Sequence, residues 1–143
     1  MSNEANNIEI QMALKNYLIL NYNISEYCLR KENSIPQELI EFQFNFKVDT
    51  EIESQTLNLT LEINVFEKYD KKSLLSNIKT ISSFTIINLD KLIIENRIPN
   101  DILSMLSGIA IGTARGVLFS KFENTNLKNA LIPIIDPSQI IPK

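Results

Sequence analysis

Two stretches of the chain alternate apolar and polar residues without a break. Ile40, Phe42, Phe44, Phe46 and Val48 alternate with Glu41, Gln43, Asn45, Lys47 and Asp49. Leu57, Leu59, Leu61, Ile63 and Val65 then alternate with Asn58, Thr60, Glu62 and Asn64. Side chains of a strand point to opposite faces in turn, so strict period two predicts a sheet with one dry face and one wet face. This pattern suits antiparallel strands, and Thr50 to Gln55 between them predicts a hairpin turn.

Weaker patterns flank this pair. Leu18, Leu20, Tyr22 and Ile24 alternate with Asn21, Asn23 and Ser25, which predicts an earlier strand. Glu32-Asn33-Ser34-Ile35-Pro36 reads as a loop. After Tyr69-Asp70-Lys71-Lys72, β character returns from Ile78 to Asn88, with Phe84 and Ile86 on one face and Ile81, Ile87 and Leu89 on the other. Residues 1–15 fit either a strand (Ile8, Ile10, Met12) or a helix face (Ala5, Ile8, Met12), and polar residues 1–7 are expected to be disordered.

The pattern changes after Leu89. Leu89, Leu92, Ile93, Ile94 and Ile98 form an apolar connection broken by charges. Pro99 then starts a helix expected to run to about Lys121, with Asn100 and Asp101 near its positive end. Ile102, Leu106, Ile109 and Thr113 follow one stripe, which Leu103, Ala110 and Val117 broaden. At the end of the chain, Asp136 as N-cap, Pro137 and Gln139 predict one short helical turn. Strands first and helices last define an α+β domain over residues 1–143: a four-stranded antiparallel sheet with a long helix and a short C-terminal helix packed on one face.

The chain's three glycines, Gly108, Gly112 and Gly116, all fall in that long helix, four apart and so close to one face. Glycine within a helix costs about 1 kcal/mol relative to alanine, so three cost about 3 kcal/mol against a typical stability of about 5–15 kcal/mol. Close approach of the chain's own sheet, or of another subunit's helix, would offset that cost. Arg115, set among small residues, is a candidate helix-capping or anion-binding group. The apolar run Leu103 to Phe119 falls short of the ~20 residues a membrane span needs, and Arg115 interrupts it, so a helix packed in a soluble core is expected.

Composition removes most chemistry. With 143 residues, 44% apolar and 22% charged, the chain is long enough to bury a core. A net charge of −3 with scattered lysines gives no footprint for nucleic acid. No histidine and a single cysteine, Cys28, leave no zinc ligand set and no usual general base. The lone thiol cannot form an internal disulfide and suits a reducing, cytoplasmic setting. Glu51 and Glu53 read as solvated turn charges. No catalytic residues, metal or cofactor are expected, and the chain does not read as an enzyme.

Several residues carry a resemblance. Ile98-Pro99-Asn100-Asp101-Ile102-Leu103, Gly108 through Arg115-Gly116-Val117-Leu118, and Leu131-Ile132-Pro133-Ile134-Ile135-Asp136-Pro137 together resemble the C-terminal half of the SecB protein-export chaperone family. Phe84-Thr85-Ile86 looks like the end of that family's fourth strand. The likeness covers residues 17–141 in element order and 98–137 in recognisable residues. It implies a homotetramer built as a dimer of dimers, with the main helices between two sheets. It implies ATP-independent binding of unfolded polypeptide clients in apolar grooves and delivery to the translocase motor. Phe84, Leu89, Leu92, Ile93, Ile94 and Ile98 are then the candidate client-binding residues, and Gly108, Gly112, Arg115 and Gly116 the candidate helix-packing or oligomer residues.

The chain departs from the family in charge. Typical members are strongly acidic and dock the motor on an acidic sheet face, whereas here the net charge is −3 and strand four reads Asn77-Ile78-Lys79. Rival readings are a dedicated partner-binding protein on the same fold, with an antitoxin-type client, and a small-ligand-binding domain using Arg115. If the glycines form a subunit contact, Gly112→Leu breaks assembly by roughly 2 kcal/mol or more of overpacking. Solution mass and melting temperature check this; an unchanged value of both refutes the contact.

Overall fold

The computed structural model describes residues 11–30, 34–95, 97–133 and 135–136. Four strands, β1 (Met12–Ile24), β2 (Ile40–Glu51), β3 (Thr56–Glu67) and β4 (Asp70–Ile86), form one antiparallel sheet in the order β1-β4-β3-β2. A one-turn helix α1 (Leu89–Leu92) and a long helix α2 (Asn100–Phe122) follow. The α+β fold of sheet and then long helix is the one the pattern predicts. The short C-terminal helical turn lies outside the described residues, as do residues 1–7.

The β2–β3 hairpin follows its period-two pattern closely. Its residues pair one to one from Ile40↔Glu67 to Glu51↔Thr56, and Ile52 to Gln55 make the turn. Leu57, Leu59, Leu61, Ile63 and Val65 of β3 are fully buried. Their β4 partners on the same face are Phe84, Ser82, Thr80, Ile78 and Ser76. Gln55 ties the turn to the far end of β4: its carbonyl accepts from Ile86 N at 2.9 Å and its Oε1 from Asn88 N at 2.6 Å.

Two strands differ from the sequence expectation. β4 begins eight residues before Ile78, and its early part pairs with the end of β3. β1 does not keep a single alternation. Its register to β4 skips Lys15 and Leu20, two irregularities of the β-bulge kind. Each bulge exchanges the faces, so Met12, Leu14, Tyr17, Ile19, Tyr22 and Ile24 share the helix side, while Leu18 pairs with Ile81 on the outer side. Leu18 and Leu20 therefore do not line the core and are exposed.

α2 lies on β3 and β4. Nine of its residues are buried: Ile102, Leu103, Leu106, Ser107, Ala110, Ile111, Ala114, Leu118 and Phe122. The core has two lobes. Leu57, Leu59, Phe84, Ile86, Leu89, Ile102, Leu103, Leu106 and Ala110 form one. Leu61, Ile63, Val65, Ile78, Ile111, Ala114, Leu118 and Phe122 form the centre of the other, which Cys28, Ile35, Leu127 and Ile132 close. Small and polar residues meet at the boundary, with Thr80 and Ser82 on β4 and Ser107 on α2. Ser107 Oγ is buried without a hydrogen-bond partner among the described residues.

Of the expected stripe, Ile102, Leu103, Leu106 and Ala110 are buried, while its second half departs from the pattern. Ile109 is exposed and Thr113 is half-buried, its hydroxyl donating back to the Ile109 carbonyl at 2.8 Å. By length and apolar composition α2, which contains an 18-residue window of mean hydropathy 1.6, could cross a membrane. The length argument drawn from Leu103–Phe119 therefore fails. Packing of nine residues against the sheet, not shortness, describes this helix.

The segment after α2 is held to the connection between β1 and β2. Ile35 N donates to the Asn126 carbonyl and Asn126 N to the Cys28 carbonyl, both at 2.9 Å. The Gln37 side-chain amide pairs with both backbone groups of Leu131, at 3.0 and 2.7 Å. Removing a buried side chain from the last turns of α2 tests this core. Leu118→Ala should cost about 2–5 kcal/mol in urea unfolding, while Tyr69→Ala on the exposed β3–β4 turn should change stability by about 0.5 kcal/mol or less.

Candidate functional site

The outer side of α2 carries the glycines. Gly108, Gly112 and Gly116 are exposed, on the face opposite Ala110 and Ala114. A Cβ built at Gly112 or Gly116 meets nothing within 4 Å. The chain's own sheet therefore does not explain them; close helix–sheet approach is made by Ser107, Ala110 and Ala114. Around the glycines stand Met105, Ile109 and Phe119, the last 69% exposed. This face is apolar and nearly free of projecting side chains at its middle.

An open groove of about 470 Å³ runs between this face and the following segment, lined by Gly112, Arg115, Gly116, Phe119, Ala130, Leu131 and Ile132. Arg115 is half-buried there, and among the described residues no group pairs with its guanidinium. It does not cap the helix; the C-terminal end closes instead through Glu123 N to the Ser120 carbonyl. Lys121 sits over the Tyr22 ring, 4.5 Å from its centroid, joining α2 to β1. Burial pushes the Tyr22 phenol up from its ordinary value.

The six candidate client-binding residues separate by burial. Phe84 (1% exposed) and Leu89 (0%) are core residues beneath α2 and present no surface. Phe84 is inward because β4 keeps Phe84 and Ile86 on the helix face; Leu89 is inward because α1 folds back onto the same lobe. Leu92, Ile93 and Ile98 are half-buried against that lobe. Ile94 alone is well exposed, at 64%, at the tip of a small turn where Ile94 and Arg97 exchange two backbone hydrogen bonds of 2.9 Å.

The sequence reading missed another surface. Phe42, Phe44, Phe46 and Val48 of β2 face the helix side, opposite Val65, Ile63, Leu61 and Leu59, but remain half-buried. On the opposite edge, Leu14 and Ile19 of β1 are exposed on the same side. The signal was present in the alternation itself. The missing knowledge was that β2 is an edge strand and that α2 stops short of it.

The outer sheet face has a different character. Asn21 Nδ2 donates to Asn77 Oδ1, Asn77 Nδ2 to Asn64 Oδ1, and Asn64 Nδ2 to Gln43 Oε1, a chain of amides across all four strands. Glu62 accepts from Asn45 at 3.2 Å and Asn77 at 3.3 Å. Glu41, Asp49, Glu51 and Glu62 share this face with Lys47 and Lys79, so it is mildly negative and dominated by amides, not strongly acidic.

No group of histidine, cysteine and carboxylate side chains among the described residues could hold a metal ion. Cys28 is buried, the Ser25 hydroxyl donates to its sulfur at 3.2 Å, and burial pushes its thiol up from the ordinary range. That makes it a poor nucleophile. No family model matches the chain, and no curated protein matches it either.

The open space over the glycines gives a direct test. In the single chain, Gly112→Ala and Gly116→Ala should each raise the free energy of unfolding by about 0.5–1 kcal/mol, since alanine is the better helix former and meets no clash. Chemical denaturation at low protein concentration measures it. A loss of stability that deepens with concentration would mean that another surface covers these positions.

Proposed function

We propose that the chain is a SecB-like, ATP-independent chaperone that binds unfolded or extended polypeptide segments on the helix side of its sheet. The observation that carries this reading is the row of apolar side chains on the edge strands, Phe42, Phe44, Phe46 and Val48 with Leu14 and Ile19, left half-open because α2 covers the two central strands. Burying such side chains releases about 25 cal/mol per Å² of apolar surface. Ile94, with half-buried Leu92, Ile93 and Ile98, extends the apolar surface at one end.

The same reading assigns the bare outer face of α2 to a second copy of the chain. Gly108, Gly112 and Gly116 then allow close helix–helix approach in a homo-oligomer, a dimer or tetramer, and Gly112→Leu acts through that contact alone. The proposed setting is cytoplasmic. The amide-dominated, only mildly negative face of the sheet supports client binding more than docking of an export motor, because a basic partner is drawn by a strongly acidic surface. A dedicated partner, such as an antitoxin-type client, would use the same surface.

One observation favours a second reading, small-ligand binding: Arg115 beside an open groove, with no partner for its guanidinium among the described residues. Against it, among the described residues lining the groove Arg115 is the one polar side chain, whereas ligand pockets orient their ligand with several.

At stoichiometric amounts and without ATP, the protein should suppress aggregation of a chemically denatured client. Phe44→Asn should weaken that suppression several-fold while leaving the circular dichroism spectrum unchanged. Light scattering on dilution of the denatured client reads both, and the reading fails if wild-type protein at several-fold excess gives no protection.

A further inference from the structure

The proposal that follows rests on the chaperone reading and concerns how the client is held. Among the described residues β2 is an edge strand, paired in the sheet with β3 alone. Its twelve residues pair without a bulge, so its free edge is regular along its whole length. At its very start Ile40 N donates to the Gln37 carbonyl; among the described residues no other backbone group from outside the sheet bonds to that free edge. β1, the other edge, carries two irregularities, a common device for blunting an edge against further pairing.

The side chains of β2 are sorted by face. Phe42, Phe44, Phe46 and Val48 stand half-buried on the helix side, and Gln43, Asn45, Lys47 and Asp49 stand exposed on the outer side. A strand added beside β2 must send alternate residues to these two faces. One set meets the phenylalanine row; the other joins the polar amide face. The stretch from Phe42 to Val48 is seven residues, about 23 Å of extended chain.

We propose that β2 accepts the client as a fifth strand, and that the site selects segments of about seven residues that alternate apolar and polar side chains. A uniformly apolar segment gains no more from the phenylalanine row, because half its side chains are forced onto the polar face. Main-chain hydrogen bonds supply affinity without regard to sequence, and the alternation supplies the choice. The clients so chosen are amphipathic strands that have not yet found their sheet.

Labelled eight-residue peptides and the full chain test this by fluorescence anisotropy. One peptide alternates four apolar and four polar residues. A second has the same composition with the apolar residues in one block. Two more are the alternating peptide N-methylated at one or the other set of alternate amides. The alternating peptide should bind at least about tenfold tighter than the blocked one, the effect of exposing one or two apolar side chains. One N-methylated form should lose binding and the other keep it, since only one set of amides faces β2. Phe44→Asn should weaken the alternating peptide. Equal binding of the alternating and blocked peptides, or no effect of either N-methyl set, overturns strand addition. A change in solution mass for Phe44→Asn with unchanged peptide binding also overturns it, giving the edge to a second copy. In each of these cases persistent suppression of aggregation leaves the chaperone reading standing, so the two failures are distinguishable.

Discussion

One helix has to cover a sheet wider than itself. Four strands at about 4.8 Å spacing make a sheet roughly 19 Å wide, while a helix with its side chains is about 10–12 Å across. α2 lies along β3 and β4 and dries the inward residues of β3 completely. It cannot also dry β1 and β2. Their inward side chains are as apolar as those of β3, so each edge strand keeps a row of half-open Phe, Leu, Ile and Tyr. The exposed apolar surface is therefore a consequence of the layer arithmetic of this fold, not an isolated patch.

The helix itself is shaped by a second demand. Its inner face is built from large residues at both ends and from Ser107, Ala110 and Ala114 in the middle, where Thr80 and Ser82 interrupt the apolar lining of β4. Its outer face is apolar too, and bare at Gly112 and Gly116. Glycine lowers helix stability at these positions with no gain inside the chain, since alanine would fit. The cost makes physical sense where a second surface approaches the backbone. This moves the explanation of the glycines from the chain's own packing to what lies outside it.

Where the sequence speaks through strong contrast, the fold is legible in it. β2 and β3 alternate between Phe or Leu and charged or amide residues, and the hairpin follows the pattern. The start of α2 is marked by Pro99 and its end falls one residue from Lys121. Contrast fails elsewhere. The bulges at Lys15 and Leu20 exchange the faces of β1, and a period-two pattern cannot announce them, so Leu18 and Leu20 read as core. On α2 both faces are apolar, so the pattern puts Ile109 in one stripe with Ala110, although Ile109 is exposed and Ala114, outside the stripe, is buried. Leu89 reads as a groove residue because its segment is a connection, and Phe84 through the family resemblance; the fold of α1 back onto the core, which buries Leu89, is a tertiary fact. The row at Phe42, Phe44 and Phe46 was fully visible as a pattern, but its availability depends on strand order, which alternation does not encode.

The two faces of the sheet divide their labour through hydrogen bonding. On the outer face, Asn21, Asn77, Asn64, Gln43, Asn45 and Glu62 satisfy one another across the strands. Amides engaged in this way have less capacity left for a partner, and the face carries little net charge to attract one. On the helix side the inward groups of β2 are hydrocarbon with nothing to satisfy, and the unmet groups are the backbone N–H and C=O of its free edge. A partner that brings both apolar side chains and an unpaired backbone answers both needs at once. A folded domain has already paired its backbone and hidden its apolar side chains, whereas an extended segment has done neither. Under the proposed reading the surface would discriminate by folding state before sequence, which is the property a chaperone of extended chains requires.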